Sequence, residues 1–341
     1  MSSLIREIHP GIHRIRLPLP GKKPGPANAY LFLGDPVTLL DTGTRQGFPQ
    51  LTKALNSVGI APGDIRQIVL THGHMDHFGA ARRVVSESRG RCRVLIHPED
   101  RQAVETGRDA SRASVARFLR AAGLPLGYQV SLSLLFYLFR AMAPTCRVDG
   151  EMKDGDTVRL GSFQGRVIHT PGHTPGSVCI LLEPENILFS GDHILGHITP
   201  NALVAVEPDG ILPVRSVQKE FYKSLEKVEA LGPGIVHTGH RKPVDDLPSI
   251  ADMYRRTFDQ RQKDVLALVG SRPITIYETA RRLFPVLDRT ARLSLEIYLS
   301  ISEVYTHLQV LEEKGLVTLG LENGRLAARP QGGKVEGINE S

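Results

Sequence analysis

The sequence predicts an α/β fold in which two β-sheets pack face to face with helices outside, followed by a small C-terminal winged-helix domain. Strand patterns fall into two runs, one before residue 100 and one from residue 157 to about residue 240, with a helical stretch between them. Two runs of strands accompanied by helices are typical of a layered sandwich. From about residue 253 the pattern changes to helices followed by a hairpin, which predicts the winged helix.

The first run of strands leads into a cluster of polar residues. The segment IHRIRLPL alternates, and the apolar segments ANAYLFL and VTLLD are separated by the turn GDP, which predicts a hairpin ending at Asp41. A helical pattern then stops at Gly59, and the apolar run 65–70 predicts a buried strand. That strand runs directly into THGHMDH, residues 71–77. A helix closed by Gly90 and the strand CRVLIHP follow.

The second run contains the predicted strands TVRLG, GRVIHT, SVCILLE and NILFSGD, then a helix over about residues 214–231 and the strand GIVHTGH. Residues 99–145 are predicted to be helical throughout and to form an insertion between the two runs. We therefore predict a catalytic domain over residues 1–252, a winged-helix domain over residues 253–331 and a flexible tail over residues 332–341, which are rich in glycine and charge.

Composition excludes several classes of protein. The 341 residues carry a formal net charge of +6, with 41% hydrophobic and 23% charged residues, as is ordinary for a soluble globular protein. Cys92, Cys146 and Cys179 are odd in number and far apart, which argues against a disulfide framework and favours a reducing compartment. The N-terminus has no signal-peptide pattern, and the longest apolar run, 131–143, is shorter than the ~20 residues that span a bilayer. We expect a cytoplasmic protein without membrane association.

Three histidines and an aspartate crowd into residues 72–77, directly after a predicted buried strand. Three imidazoles this close would repel one another when protonated unless a cation lay between them, and histidine is the commonest metal ligand. Side chains at positions i and i+2 of an extended segment point the same way, so His72 and His74 can hold one ion. Asp76 and His77 lie further along and can hold a second.

Three further candidates follow predicted strand ends, where catalytic residues gather on a rigid scaffold. His173 lies in TPGHTPGS, Asp192 in FSGDHIL and His240 in VHTGHRKP. We expect the first to complete one metal site, the last to complete the other, and the aspartate to bridge the two ions. Imidazole and carboxylate ligands suit Zn²⁺, our first choice, as well as Fe or Mn. His193 and His197 are interpreted as pocket or supporting residues and not as ligands.

THGHMDH resembles the HxHxDH motif of the metallo-β-lactamase superfamily, and PGHTPGS, SGD and GH resemble its remaining ligand motifs in the same order. The resemblance covers roughly residues 10–243 and implies an αββα sandwich with a dinuclear site. Because both Asp76 and His77 are present, the chain is similar to the glyoxalase II and lactonase branches and not to the antibiotic-degrading enzymes. Carried over by position, the resemblance implies these ligands: His72, His74 and His173 for the first metal, Asp76, His77 and His240 for the second, and Asp192 as the bridge.

The chemistry of two divalent ions predicts a hydrolase. A water shared by two such ions loses a proton near neutral pH, while one ion polarises the substrate carbonyl. We predict a dinuclear metal-dependent hydrolase in which a metal-bound hydroxide attacks the activated acyl bond of a small molecule, a thioester, a lactone or an ester. Asp76 is the expected proton handler, and the metals make a serine or cysteine nucleophile unnecessary.

Asp41 begins the tripeptide DTG, which also occurs in aspartic proteases. The sequence has one copy and no matching partner, which argues against that class. In the resemblance, an aspartate at this strand end supports the metal site, and we expect Asp41 to orient a ligand histidine.

The insertion contains the apolar stretch SLSLLFYLF, for which two interpretations stay open. The stretch forms ordinary core or the face of a homodimer, which is the commoner use of such a pattern. Alternatively, it lies over the metal edge and shapes a pocket for an apolar acyl chain. The lining candidates would then be Phe136, Tyr137 and Phe139.

Two rival functions depend on the C-terminal domain. A single-strand RNA endonuclease would use the same metal pair for displacement at phosphorus and the winged helix to guide the strand. A non-catalytic regulator would use the winged helix on DNA. Residues 255–341 contain 13 basic and 11 acidic residues, well short of a basic nucleic-acid footprint, and EVYTHLQVLEEKG places three glutamates on the expected recognition helix. We therefore favour a small-molecule substrate and a packing or substrate-shaping role for the winged helix.

Overall fold

Three β-sheets are present in the described part of the computed structural model of this protein. The described residues are 4–19, 24–107, 112–132, 134, 144–200, 204, 215–285 and 295–331. The pocket candidates Phe136, Tyr137 and Phe139 and the predicted tail 332–341 lie outside these ranges.

The first two sheets hold twelve of the described strands. The strands of the first sheet, in both chain and spatial order, are β1 (Ile5–His9), β2 (Ile12–Leu17), β3 (Ala27–Phe32), β4 (Thr38–Leu40), β5 (Gln67–Val69), β6 (Arg93–Ile96) and β7 (Gly150–Glu151). The strands of the second sheet are β8 (Thr157–Leu160), β9 (Phe163–His169), β10 (Val178–Leu182), β11 (Ile187–Gly191) and β12 (Ile235–Thr238). Their spatial order is β12-β11-β10-β9-β8.

The remaining elements include the third sheet, the α-helices and two short 3₁₀ helices, Arg45–Gly47 and Pro62–Asp64. The third sheet consists of β13 (Ile274–Thr275), β14 (Val317–Glu322) and β15 (Arg325–Pro330), with β15 in the middle. The helices are α1 (Phe48–Asn56), α2 (Met75–Phe78), α3 (Ala81–Glu87), α4 (Pro98–Thr106), α5 (Arg112–Ala121), α6 (Val217–Leu231), α7 (Leu247–Leu268), α8 (Ile276–Leu283) and α9 (Leu295–Glu313). Among the described residues, no helix combines the length and apolarity needed to cross a bilayer.

Strand β3 illustrates how the sequence builds the layers. All six of its residues are buried, because the strand is covered on both faces. Tyr30 and Phe32 pack against Phe189 of the second sheet. Ala29 and Leu31 belong to the core on the other side of the first sheet. Since successive side chains of a strand point to opposite faces, a nearly uninterrupted apolar run is what a doubly covered strand requires.

Helices cover the outer face of each sheet. Leu51 of α1, Val84 of α3 and Val104 of α4 are buried in the outer core of the first sheet. Phe221 of α6 and Tyr254 of α7 are buried in the outer core of the second. The predicted sandwich of two sheets with helices outside is confirmed.

The predicted domain limits do not coincide with the helices. The limit after residue 252 falls inside α7, because this helix begins earlier, where the Asp246 side chain accepts a hydrogen bond of 3.1 Å from the Ser249 amide. Tyr254 of α7 lies in the outer core of the second sheet. Val265 of the same helix lies in a fourth core, which is formed with α5, α8, α9 and the third sheet and is separate from the two outer cores and from the core between the sheets. One helix therefore contributes to both parts of the molecule.

The predicted insertion is also divided between two cores. Its first helix, α4, packs on the first sheet through Val104, while Phe118 of α5 packs in the fourth core. Helical periodicity alone does not tell which sheet or helix a segment will cover. Helix α4 lies against the segment that follows β5, because a Cβ at Gly73 would be 2.8 Å from Cβ of Ala103.

Candidate metal centre

Strand direction brings the candidate ligands to one edge of the sandwich. Strand β5 pairs with β4 and β6 in parallel, and β11 pairs with β12 in parallel. The carboxyl ends of parallel strands lie at the same edge of a sheet. The chain therefore leaves β5 towards His72, leaves β11 at Asp192 and leaves β12 towards His240 on this edge. His173 lies in the loop between β9 and β10.

The HxHxDH segment combines an extended stretch with one short helix. His74 is extended, with φ −77° and ψ 145°, and the four-residue helix α2 begins at the next residue. Asp76 and His77 lie on this helix and are thereby turned away from the extended pair. The His72 ring centroid lies 4.7 Å from that of His74 and 4.2 Å from that of His77.

The seven candidate ligands converge in three overlapping groups, and in each group the potential ligand atoms lie within 4.8 Å of one another. The groups are His72 with His74 and His173, His72 with His77 and Asp192, and Asp76 with His77 and His240. We name the first the three-histidine group and the last the Asp76 group. The structure thus brings together every residue that the sequence placed in the metal site, although those residues come from four separate loops.

Asp192 lies between the two outer groups. Its Oδ2 atom is 3.6 Å from Nε2 of His173 and 3.3 Å from Nε2 of His240. Its Oδ1 atom is 3.5 Å from Nε2 of His77. Two ligands that each lie ~2.0–2.1 Å from a tetrahedral ion are about 3.3 Å apart. The Asp192 carboxylate is therefore spaced from all three imidazoles as ligands of shared cations are.

The hydrogen bonds of three histidines leave the same ring atom free. The Nδ1 atom of His77 donates to Asp41 at 2.8 Å, and that of His240 donates to the carbonyl of Gly25 at 3.1 Å. Nδ1 of His72 contacts the Thr71 hydroxyl at 3.0 Å. The three Nε2 atoms are buried and have no hydrogen-bond partner among the described residues. Such atoms need a partner, and a metal ion held by Nε2 while Nδ1 is fixed by the protein supplies one.

Burial and the neighbouring carboxylates have opposite effects on the pKa values of the histidines in the site. Burial acts to lower the pKa of His240, but Asp192 and Asp76 outweigh it and raise that pKa to about 10. Burial likewise opposes ionisation of Asp192, yet His240 and His77 hold its pKa well below the usual value. The pKa of His72 is lowered by burial and by the neighbouring His77. In the absence of a metal, the protonated imidazoles of His77 and His240 balance the negative charge of the carboxylates. A bound metal cation would take the place of these two protons.

Asp41 supports the site as the sequence suggested. Its Oδ2 atom contacts Nδ1 of His77, and the carboxylate also accepts hydrogen bonds from the amide and hydroxyl of Thr71, at 2.9 and 2.8 Å. These contacts fix the ring of one candidate ligand and, through Thr71, that of His72. Asp41 has φ 59°, a left-handed conformation that aspartate and asparagine adopt more readily than most residues.

Gly239 lets two ligand loops approach each other. A Cβ atom at this position would lie 2.1 Å from Oδ1 of Asp192 and 2.9 Å from Cε1 of His77. The glycine of the segment TGH is therefore required by the metal centre itself, because any side chain would displace the central carboxylate.

His193 and His197 lie outside the three groups. His193 is buried with its ring 4.9 Å from that of Phe221. Nε2 of His197 donates to the carbonyl of Pro24 at 3.0 Å. Both residues therefore support neighbouring backbone or core.

Asp100 is a buried residue of the site that the sequence did not reveal. Its carboxylate accepts hydrogen bonds from the backbone amides of Gly73 and Gly176, both at 2.8 Å, and from the hydroxyl of Thr174 at 2.6 Å. These donors lie next to His74 and His173. An acidic residue in the first turn of a predicted helix is common, so nothing in the local pattern distinguished Asp100 from a surface residue.

The family profile and two of the relatives extend over most of the chain. The profile of the Metallo-beta-lactamase superfamily matches residues 23–240. A Bacillus subtilis protein named Probable metallo-hydrolase YqjP is 26% identical over 313 residues, which cover 89% of this chain and 93% of that protein. The crystal structure of a metallo-beta-lactamase family protein from Thermus thermophilus superimposes with a TM-score of 0.79 at 25% identity, and covers 95% of this chain and 100% of that chain.

A third relative is similar over a shorter stretch. The Atrochrysone carboxyl ACP thioesterase of Aspergillus fumigatus is 33% identical over 102 residues, which cover 30% of this chain and 21% of that protein. The profile match alone spans more than half of the chain and includes all seven candidate ligands. The chain therefore belongs to the metallo-beta-lactamase superfamily, as a metallo-hydrolase whose cluster of histidines and aspartates could bind metal ions.

Proposed function

We propose that this protein is a dinuclear metal-dependent hydrolase, with zinc as the expected metal, that cleaves an activated acyl bond in a small molecule. The substrate classes that we expect are thioesters, lactones and esters, as in the glyoxalase II and lactonase branches. The three-histidine group would hold one ion, the Asp76 group the other, and Asp192 would contact both.

The position of Asp192 is the observation that carries this proposal. A single carboxylate within 3.6 Å of imidazoles from both outer groups is what a pair of adjacent cations requires. If the site held a single ion, the free Nε2 atoms of His72 and His240, which belong to different groups, would not both be needed. Each outer group contributes three ligands, the number of protein ligands typical of a catalytic metal site, and Asp192 would be shared between the two ions.

The protein's own groups then divide the work of hydrolysis. Two divalent ions, when bound, would provide a nucleophile from water near neutral pH and polarise the substrate carbonyl. Asp76 is the more exposed of the two carboxylates, with 18% of its side chain accessible against 7% for Asp192. We therefore assign Asp76 the transfer of a proton between the attacking water and the leaving group. Asp192 stays buried and holds the two groups at a fixed separation.

The acyl class has support from one relative. The Atrochrysone carboxyl ACP thioesterase shares the stretch described above, and its name states a thioester as its substrate. A thioester carries a good leaving group, so a positioned nucleophile and a polarised carbonyl suffice to cleave it. For this chain, the thioester is accordingly the first substrate class to test.

We further propose that residues 253–331 form a winged-helix domain that supports the site by packing. Helices α7, α8 and α9 and the hairpin β14-β15 provide the elements of such a domain. Helix α9 contacts α6 through His307 and Gln218, whose side-chain nitrogens are 3.2 Å apart. Helix α6 in turn lies against the loop of His173, because a Cβ at Gly172 would be 2.6 Å from Cα of Phe221.

The test is a panel of substrates offered to the zinc-loaded protein: acyl-thioesters, lactones, a β-lactam and single-stranded RNA. We expect turnover of a thioester or lactone, and its loss in Asp192→Ala, which removes the central carboxylate. Asp252→Ala, an exposed aspartate on α7, is the matched control and should retain full activity. Cleavage of RNA with no turnover of acyl substrates would overturn the proposal in favour of a nuclease.

A further inference from the structure

Asp100 connects two ligand loops that come from different sheets and meet otherwise through a backbone hydrogen bond of 2.9 Å from Val178 to Thr71 and through the His74–His173 contact. It lies in the first turn of α4 and is 4% exposed. Its Oδ2 atom accepts from the amide of Gly73, in the loop after β5, while its Oδ1 atom accepts from the amide of Gly176, in the loop between β9 and β10. One buried carboxylate thus joins segments that come from the two different sheets.

The two loops approach α4 so closely that glycine is required at both contacts. A Cβ at Gly176 would lie 2.7 Å from Cγ of Asp100, and a Cβ at Gly73 would lie 2.8 Å from Cβ of Ala103. Real Cβ atoms do not approach other atoms this closely without displacing them. The first turns of α4, with the carboxylate of Asp100, therefore restrict the positions of both loops.

The loops that Asp100 joins carry the three-histidine group, whereas the contacts that fix the histidine rings of the Asp76 group come from other residues. Gly73 lies between His72 and His74, and Thr174, whose hydroxyl donates to Asp100 at 2.6 Å, follows His173. The facing nitrogens of His74 and His173 are 3.0 Å apart. By contrast, Asp41 fixes His77, and the carbonyl of Gly25 fixes His240.

We propose that Asp100 is a positioning residue that sets the distance between the two histidine loops and thereby the metal affinity of the three-histidine group. The Asp76 group keeps its affinity when Asp100 is changed, because separate contacts hold it. This inference rests on the two-metal site that the proposed function requires. It assigns to one residue outside the ligand set a selective effect on one of the two ions.

The experiment measures zinc affinity in two backgrounds of the full-length protein, by competition with a chromophoric chelator. In His240→Ala, the three-histidine group remains intact; in His173→Ala, the Asp76 group remains. Asp100→Asn places an amide N–H against backbone N–H donors. We expect it to weaken zinc binding about 10–100-fold in the first background, the range measured for partners of metal ligands, and less than about 2-fold in the second.

A matched control separates the selective effect from a general one. Asp154→Asn changes an exposed carboxylate that accepts a 2.8 Å hydrogen bond from the amide of His169, at the start of the same loop. We expect no change in zinc affinity in either background. Should Asp100→Asn not fold, Thr174→Val removes the hydroxyl contacts with Asp100 and Ser177 and leaves both backbone amide contacts of Asp100, and a smaller loss confined to the first background is expected.

Equal weakening in both backgrounds would overturn the inference, because a merely structural role would affect both groups. Unchanged affinity in both would overturn it as well. Selective loss in a protein that hydrolyses none of the acyl substrates would leave the inference standing and overturn the proposed function. If the protein hydrolyses an acyl substrate but the Asp100→Asn variant binds zinc as the wild type does, the proposed function stands and the inference is overturned. A wild type that binds no zinc would overturn both.

Discussion

Two buried histidines of the metal centre, His77 and His240, differ from the histidines buried elsewhere in the protein. His77 and His240 lie beside carboxylates that outweigh the effect of burial and raise their pKa values. His237 and His307 are equally hidden from solvent, and burial lowers their pKa values to about 4 and about 3. Burial alone therefore keeps an imidazole neutral, and only the carboxylates make the metal centre a place where positive charge is stabilised.

We call the histidines of the metal centre the first set, and His237 and His307 the second set. The packing of the two sets also differs. His237 stacks on Phe189 with ring centroids 5.4 Å apart, and Nδ1 of His307 contacts Gln218. Both rings lie among core residues and belong to no ligand group of the described chain. His237 is only three positions before His240, so the position relative to the strand end, and not the local density of histidine, decides which ring can bind a metal.

The largest expected effect is on catalysis, when one histidine of each set is substituted in turn. We expect His240→Ala to lower kcat/KM for the best acyl substrate more than about 100-fold, because loss of a ligand exceeds the 10–100-fold effect of losing a ligand's partner. His237→Phe keeps the stacked ring and should change kcat/KM less than about 2-fold. Steady-state kinetics of both variants tests this, and equal losses would erase the distinction between the two sets.

Zinc itself should stabilise the protein through the first set only. At a free concentration about 100 times the dissociation constant, zinc should raise the free energy of unfolding by about 2.7 kcal/mol for each site filled. Urea unfolding with and without zinc measures this difference. The same increment is expected in His237→Phe and a smaller one in His240→Ala; an undiminished increment in His240→Ala would contradict the assignment.

The support of one ligand can be weakened without changing the backbone. Asp41→Asn keeps a residue that tolerates φ 59° but removes the charge that fixes His77. We expect zinc to bind about 10–100-fold more weakly. Equilibrium dialysis provides the measurement, and Asp35→Asn, a substitution in the exposed turn before β4, is the control that should bind as the wild type does.

The smallest effect concerns pH and the second set. The unfolded chain protonates His307 near pH 6.5, whereas the folded protein resists protonation until about pH 3, so stability is lost as the pH falls below 6.5. In the metal-free protein, His307→Gln should remove about 1 kcal/mol of the stability difference between pH 7 and about pH 5.5. Urea unfolding at both pH values tests this, and an unchanged difference would show that the ring titrates normally.

Much of the metal centre could be predicted from the sequence, because its ligands lie in short motifs or directly after recognisable strands. His72, His74, Asp76 and His77 occupy one short segment, and the remaining three follow strands whose apolar runs are easily recognised. Asp41 was found for the same reason, since it ends a strand. Each of these residues is placed by the edge of the sheet from which it emerges.

The contacts of Asp100 could not be predicted, because they depend on packing between distant segments. Gly73 and Gly176 lie 27 and 76 residues away from it along the chain. The predicted limit at residue 252 falls inside a helix for a related reason. A change of composition near residue 253 does not reveal that α7 starts at Leu247 and serves two cores.

The hydroxyl of Tyr254 on α7 accepts from the amide of Leu195 at 2.6 Å and donates to its carbonyl at 2.8 Å. Leu195 lies three residues after Asp192, so the helix that leads into the C-terminal part also anchors the loop of the central carboxylate. The two parts are consequently not separable modules. Cutting the chain near residue 252 would discard this anchor, and gene fusion or exchange of the C-terminal part would have to preserve the whole of α7 to keep the centre intact.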